Sequence, residues 1–132
     1  MSETLYIVDA MAFAFRAFYA IGRLSDVRGR PTHAIYGLAR VLMKLAREHR
    51  PDYLAVVFDA PGPNFRHEMY EPYKATRQKA PEDLVVQVPW IKDFVRYQGV
   101  PQFEMEGFEA DDLIAALASW AAGRGLEVVI VS

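Results

Sequence analysis

The chain has 132 residues, 52% of them hydrophobic, which fits a single domain (1–132) able to bury its own core. It contains no cysteine, which excludes disulfide frameworks and thiolate metal sites. With no apolar run near the roughly eighteen residues of a membrane span and no basic-then-apolar leader, a soluble cytoplasmic protein is expected. The net charge of -2 divides unevenly: residues 1–79 carry twelve Lys+Arg against eight Asp+Glu, and residues 80–132 three against nine. A polyanion suits the first half and cations the second, although solvated faces produce such imbalances too.

Leu5-Tyr6-Ile7-Val8 is apolar on both faces and ends on Asp9, the pattern of a buried parallel strand. Residues 10–21 read as a helix whose Phe15, Phe18 and Tyr19 share one face, followed by a surface loop from Gly22 to Pro31. Thr32 is a suitable N-cap for a helix from His33 to about Arg50, with Ile35, Leu38, Val41, Leu42 and Leu45 as its buried stripe. Arg40, Lys44 and Arg47 recur at i, i+4 and i+7. They form a basic stripe that could meet phosphate but reads more simply as a solvated face.

Tyr53 to Phe58 is a second buried strand that again ends on an aspartate, Asp59. After the Pro61-Gly62-Pro63 break, residues 64–79 interleave Arg66, His67, Lys74, Arg77 and Lys79 with Tyr70 and Tyr73. This composition suits a nucleic-acid strand as well as an exposed amphipathic loop. Pro81-Glu82-Asp83 opens a helix to about Gln98 that Pro89 kinks or divides, with Trp90, Ile91, Phe94 and Val95 as its core face. Residues 102–106 form a brief strand or extended link. Glu109 to about Ala122 is the last helix, apolar at Leu113, Ile114, Leu117 and Trp120, and Leu126 to Val131 is a third strand.

Strands alternating with helices predict a three-layer α/β domain with a largely parallel sheet. In such sheets ligands bind beyond the carboxyl ends of the strands, so Asp9 and Asp59 face one crevice. Glu109, Asp111 and Asp112 stand at a helix start, where acids complement the dipole by roughly 0.3–1 kcal/mol each. That role does not explain their coincidence with two strand-end aspartates. Five gathered carboxylates repel one another unless a cation relieves them, and an all-oxygen donor set favours Mg²⁺ or Mn²⁺ over zinc. On an ideal helix Asp111 points about 200° from Glu109, so the cluster is expected to straddle the loop-to-helix junction. An acidic metal site beside a basic, tyrosine-bearing loop points to phosphodiester hydrolysis.

Ile7-Val8-Asp9, Tyr36-Gly37, Val57-Phe58-Asp59-Ala60, Phe65-Arg66-His67-Glu68, Tyr73-Lys74-Ala75-Thr76-Arg77 and Gly107-Phe108-Glu109-Ala110-Asp111-Asp112 occur in one order along the chain. Together they resemble the N-terminal 5′→3′ exonuclease domain of bacterial DNA polymerase I, in the flap endonuclease (5′ nuclease) family. The resemblance implies a PIN-like fold and Mg²⁺-dependent cleavage of DNA 5′ flaps, nicks and RNA primers in replication and repair, with Mn²⁺ able to substitute. By motif, Asp9, Asp59, Glu109, Asp111 and Asp112 would hold the first metal. Lys74 would stabilise the phosphate transition state, Arg77 would contact a phosphate and Tyr73 would stack on a base, with Arg66 and Lys79 as supporting nucleic-acid contacts. The family's helical arch would correspond to roughly residues 70–90, and a polymerase part of a longer parent chain is an implied partner.

Two departures from the family pattern carry expectations of their own. Ala10 stands where the family usually has glycine after the first aspartate. The family's second aspartate pair and helix-hairpin-helix element are not reached by Ser132, so the domain is expected to be incomplete at its C-terminus and weakly active or inactive alone. The competing readings are a noncatalytic nucleic-acid-binding module, a receiver-like phosphoacceptor domain and a PIN-type ribonuclease. DNA binding that persists in EDTA would mark the first, and a stable acyl-phosphate on Asp9 or Asp59 the second.

Overall fold

The computed structural model describes residues 2–60 and 81–132. In chain order these form β1 (Thr4–Asp9), α1 (Ala10–Ala20), α2 (His33–Lys44) continuing into a π turn (Leu45–His49), β2 (Tyr53–Val57) and α3 (Glu82–Val85), then α4 (Val88–Tyr97), β3 (Gln102–Phe103), α5 (Ala110–Gly123) and β4 (Glu127–Val131). The strands form one parallel sheet in the order β3-β2-β1-β4. Two crossovers step outward from β1, and the third returns to pair β4 with β1. The strand order therefore reverses between β1 and β4, the place where open α/β sheets carry ligands.

The central strands β1 and β2 of the sheet are buried on both faces, as their apolar composition requires, whereas the edge strand β4 leaves Ile130 exposed. On one side Val8, Val56 and Phe58 pack against Ala10 and Ala14 of α1, Leu38 and Leu42 of α2, Leu84 of α3, and Ile91 and Val95 of α4. On the other, Leu5, Ile7, Ala55 and Val57 pack against Ala110, Ile114 and Ala121 of α5. The expected three layers are present, with four helices on one face and α5 on the other. Among the described residues no helix is long and apolar enough to cross a membrane.

Several elements depart from the sequence reading. The buried stripe of α1 is Ala10, Ala14 and Ala17, while Phe15 and Tyr19 are exposed, so the aromatic face is not the packed one. The reason lies in α2: a Cβ on Gly37 would stand 2.2 Å from the Ala17 Cβ, so the two helices cross at a contact only small residues permit. The helix expected to reach Arg50 stays α-helical only to Lys44. Arg50 N–H then closes a wider turn onto the Leu45 carbonyl at 3.0 Å and sits at φ 45°, because the following Pro51 disfavours a right-handed helical Arg50. The helix from Glu82 to Gln98 is divided at Val86-Gln87, which leaves Pro89 in the first turn of α4, where its missing N–H costs nothing. Trp120 does not join the α5 core stripe: it is half exposed, with the Arg124 guanidinium 4.7 Å over its ring.

Thr32 occupies the N-cap position of α2 without a side-chain hydrogen bond. The capping is done from another helix pair. Gln87 is fully buried, and its Oε1 accepts from the N–H groups of Ala34 (2.8 Å) and Ile35 (3.2 Å), while its Nε2 donates to the Asp83 carbonyl (2.7 Å). One amide thus satisfies two orphan donors of α2 and fixes the α3–α4 junction against it. Gln87→Leu fills the same space but orphans those buried groups, so it is expected to cost about 1–3 kcal/mol. A thermal melt lowered by less than a degree would contradict this role.

Candidate active site

Asp9 is the last residue of β1 and the N-cap of α1, and its Oδ1 accepts from Ala12 N–H at 3.2 Å. Asp59 lies two residues beyond β2, whose Val57 is in register with Asp9. Its Oδ1 accepts from Ala110 N–H at 2.7 Å, which fastens the end of β2 to the first turn of α5. That bond carries the carboxylates of the α5 start to the strand ends. It also points a helix N-terminus, with its partial positive charge, at Asp59.

Glu109 is the N-cap of α5 and is buried; it forms a capping box with Asp112, whose Oδ2 accepts from Glu109 N–H at 3.1 Å. Asp111 is exposed in the same first turn. The acidic group therefore straddles the loop-to-helix junction as the sequence implied. Glu109 and Asp112 also serve as helix caps, a role the sequence reading weighed only as dipole complementation. Neither arm of the box carries information about a ligand by itself.

The electrostatics bind the pieces together. Burial is the main cause that raises the Asp9 pKa above its ordinary 3.8, and the negative charges of Asp59 and Asp111 raise it further, against the bond from Ala12 N–H. Asp9 thus senses both the β2 end and the α5 start. Among the described residues no Lys or Arg forms an ion pair with Asp9, Asp59 or Asp111. Among them also, no three acidic or histidine side chains converge as a ready ligand set. Like charge and the capping bonds both oppose such convergence.

A hard divalent cation fits this donor chemistry. Asp9 and Asp59 each accept a backbone N–H at Oδ1, and as carboxylates both offer hard oxygen donors. The unrelieved repulsion at Asp9 is what such an ion would offset. Because the folded chain holds the Asp9 proton more tightly than the unfolded chain, the ionised form costs stability at neutral pH. That cost disappears as pH falls toward 3.8. Asp9→Asn keeps an acceptor for Ala12 and is expected to raise stability in EDTA at neutral pH. The gain is no more than about 1 kcal/mol, since the half-buried carboxylate is screened by solvent, and it should vanish in acid. A melt unchanged at both pH values would contradict the assigned cost of burying the Asp9 charge.

Lys74, Arg77, Tyr73, Arg66 and Lys79 lie outside the described residues, as does the part of the arch assigned to residues 70–80. Residues 81–90 of that assignment form α3 and the start of α4, with Leu84 and Gln87 buried. The structural residue that the sequence reading missed is Gln87. A glutamine between two prolines carries no local signal of reaching a helix more than fifty positions earlier.

Strand-end aspartates tied to an acidic helix start, on a parallel sheet with helices on both faces, are the layout of a PIN-like α/β domain. The family described as "5′-3′ exonuclease, N-terminal resolvase-like domain" matches residues 4–132, and the chain belongs to it. It is 47% identical over 130 residues to a 5′-3′ exonuclease of Aquifex aeolicus, covering 98% of this chain and 45% of that protein. It is 45% identical over 130 residues to DNA polymerase I of Deinococcus radiodurans, covering 98% of this chain and 14% of the polymerase. The chain therefore spans less than half the length of these relatives. Among solved structures, the phage T5 D15 protein co-crystallised with metal ions superposes with a TM-score of 0.73 at 22% identity, covering 98% of this chain and 49% of that one. A T5 flap endonuclease complex with DNA and metal ions gives 0.71 at 22% identity, covering 98% of this chain and 48% of that one.

Proposed function

We propose that this chain supplies the metal-binding half of a 5′→3′ exonuclease and flap endonuclease acting on DNA 5′ flaps, nicks and RNA primers in the cytoplasm, within replication and repair. The observation that supports this reading is the Asp59–Ala110 bond, which ties the end of β2 to the first turn of the acidic helix α5. The family match supplies the reaction class. Asp9, Asp59, Glu109, Asp111 and Asp112 would hold Mg²⁺, with Mn²⁺ as a substitute, directly or through water. The ion supplies an activated water and charge neutralisation on the phosphate.

The chain's own residues do the remaining work in this proposal. Asp9 and Asp59 would present their carboxylates with Oδ1 held by a backbone N–H, which limits their rotation. Lys74 offsets charge developing on the scissile phosphate, Arg77 holds that phosphate or its neighbour, and Tyr73 stacks on a base. Arg66 and Lys79 add phosphate contacts. A polymerase part in a longer parent chain is the proposed partner, in keeping with the relatives' names.

The expected result with a flapped DNA labelled at either end is divalent-dependent release of 5′-terminal fragments, slow for this chain alone and abolished by EDTA. Products released from 3′ ends, or cleavage indifferent to EDTA, would overturn the reading. Faster turnover of RNA than of flapped DNA would move the assignment to a PIN-type ribonuclease.

A further inference from the structure

We infer that Lys92, through its pair with Glu104, is a positioning residue for the metal site. It holds the link that brings Glu109 to the end of β2, where Asp59 stands. This rests on the metal reading above and extends it to residues that reading does not use.

The link needs a tie. Strand β3 stops at Phe103 and α5 starts at Ala110, so residues 104–109 cross from the sheet edge to the acidic helix start. Residues 103–108 are exposed or half-buried, and none of them joins the packed core. The Phe108 N–H closes a turn onto the Met105 carbonyl at 3.1 Å, and Gly107 within it sits at φ 87°, a conformation that glycine takes without strain. Those bonds shape the turn but do not fix where it lies. Among the described residues, Glu104 is the one side chain of 104–107 tied to the body of the domain: its Oε1 accepts from Lys92 Nζ at 2.7 Å.

Lys92 is itself held firmly. It follows fully buried Ile91 on α4, and its carbonyl accepts from Gln102 Nε2 at 3.0 Å, so α4 and β3 fix its backbone. Its ammonium lies 5.4 Å from the centre of the Phe58 ring, which is buried and directly precedes Asp59. Phe58 N–H donates to the Phe103 carbonyl at 2.9 Å, one residue before Glu104. One ammonium thus touches both the residue before Asp59 and the first residue of the link to Glu109. The far end of the link is closed by the bond from Ala110 N–H to Asp59 Oδ1. Lys92 and that bond therefore hold the two ends of residues 104–109 to the same strand end.

Ordinary surface ion pairs do not have this placement. Arg23–Asp83 and Arg96–Asp93 have both side chains at least half exposed, whereas the Lys92 and Glu104 side chains are 30% and 34% exposed. Less solvent around the charges means less screening, so the pair retains more of its attraction. At a distance the two charges largely cancel. The pair therefore acts on a cation at the carboxylates through geometry rather than through its own field.

The test joins calorimetric titration with Mn²⁺ to amide hydrogen exchange in EDTA, on the parent, Lys92→Met, Glu104→Gln and Lys92→Arg. Lys92→Met and Glu104→Gln are each expected to bind Mn²⁺ about three- to fivefold more weakly, the ceiling for a part-exposed pair. Exchange at residues 105–110 should quicken by about threefold or more in both, while the Ala12 N–H held by Asp9 keeps its rate. Lys92→Arg retains the carboxylate and ring contacts and should stay within about twofold of the parent on both measures. Charge alone predicts opposite signs, since Lys92→Met removes a positive charge near the site and Glu104→Gln removes a negative one. Opposite shifts in Mn²⁺ affinity, unchanged affinity in both variants, or exchange quickened evenly along the chain would each overturn the inference. A parent chain that binds no Mn²⁺ would sink the metal reading instead. The exchange arm, run without metal, then judges the tie by itself, and unchanged rates at residues 105–110 overturn it.

Discussion

Asp59→Asn is expected to lower divalent-dependent cleavage by roughly 10³-fold, as several kcal/mol of charge stabilisation at the phosphate is lost with the ion. The fold should be almost unaffected. Asparagine retains an oxygen that accepts from Ala110 N–H, so the link between β2 and α5 survives while one negative charge disappears. Asp59→Ala removes both. It leaves the N–H of buried Ala110 without its acceptor and should cost about 1–3 kcal/mol in addition to the activity. Initial rates and thermal melts on the pair separate metal binding from the structural tie. An Asp59→Asn enzyme as active as its parent would remove Asp59 from the proposed ligands.

Gly37→Ala is expected to destabilise the chain by about 3 kcal/mol or more, at the upper end of overpacking costs. Helix propensity alone predicts the opposite, a gain of about 1 kcal/mol for alanine over glycine inside a helix. The added Cβ would stand 2.2 Å from the Ala17 Cβ and 3.5 Å from the Ala17 backbone, so α1 and α2 must separate to admit it. Gly123→Ala in α5 meets nothing within 4 Å and should be neutral or slightly stabilising. A fall in melting temperature at Gly37 alone supports the close crossing, whereas a rise at both positions would contradict it. Because Asp9 is the N-cap of α1, the same substitution should also weaken metal binding.

The parts of the fold that depend on local pattern were legible in the sequence. Apolar runs at 5–8 and 53–58 announced strands buried on both faces, the run at 126–131 announced a third strand that the fold leaves half exposed at the sheet edge, and the aspartates that end the first two announced the crevice. The acidic start of α5 was visible as a charge anomaly. Its double use was not, since a capping box and a ligand set draw on the same residues, Glu109 and Asp112, and spacing does not distinguish them. Long-range choices were hidden as well. The preference of α1 for its alanine face over its aromatic face is decided by Gly37, and the cap of α2 is decided by Gln87 rather than the adjacent Thr32. In both cases a partner distant in sequence overrides a sound local rule. The basic stripe on α2 was visible from its spacing, but only the fold set Arg16 of α1 beside it.

The direct test of the metal-binding claim is a calorimetric titration of the chain with Mn²⁺, run alongside the double variant Asp9→Asn, Asp59→Asn. One saturable site that raises the melting temperature of the parent, and is lost in the double variant while that variant remains folded, is the expected result. Undiminished Mn²⁺ binding in the double variant, or a parent chain that binds no Mn²⁺, would contradict a metal centre built on the strand-end aspartates.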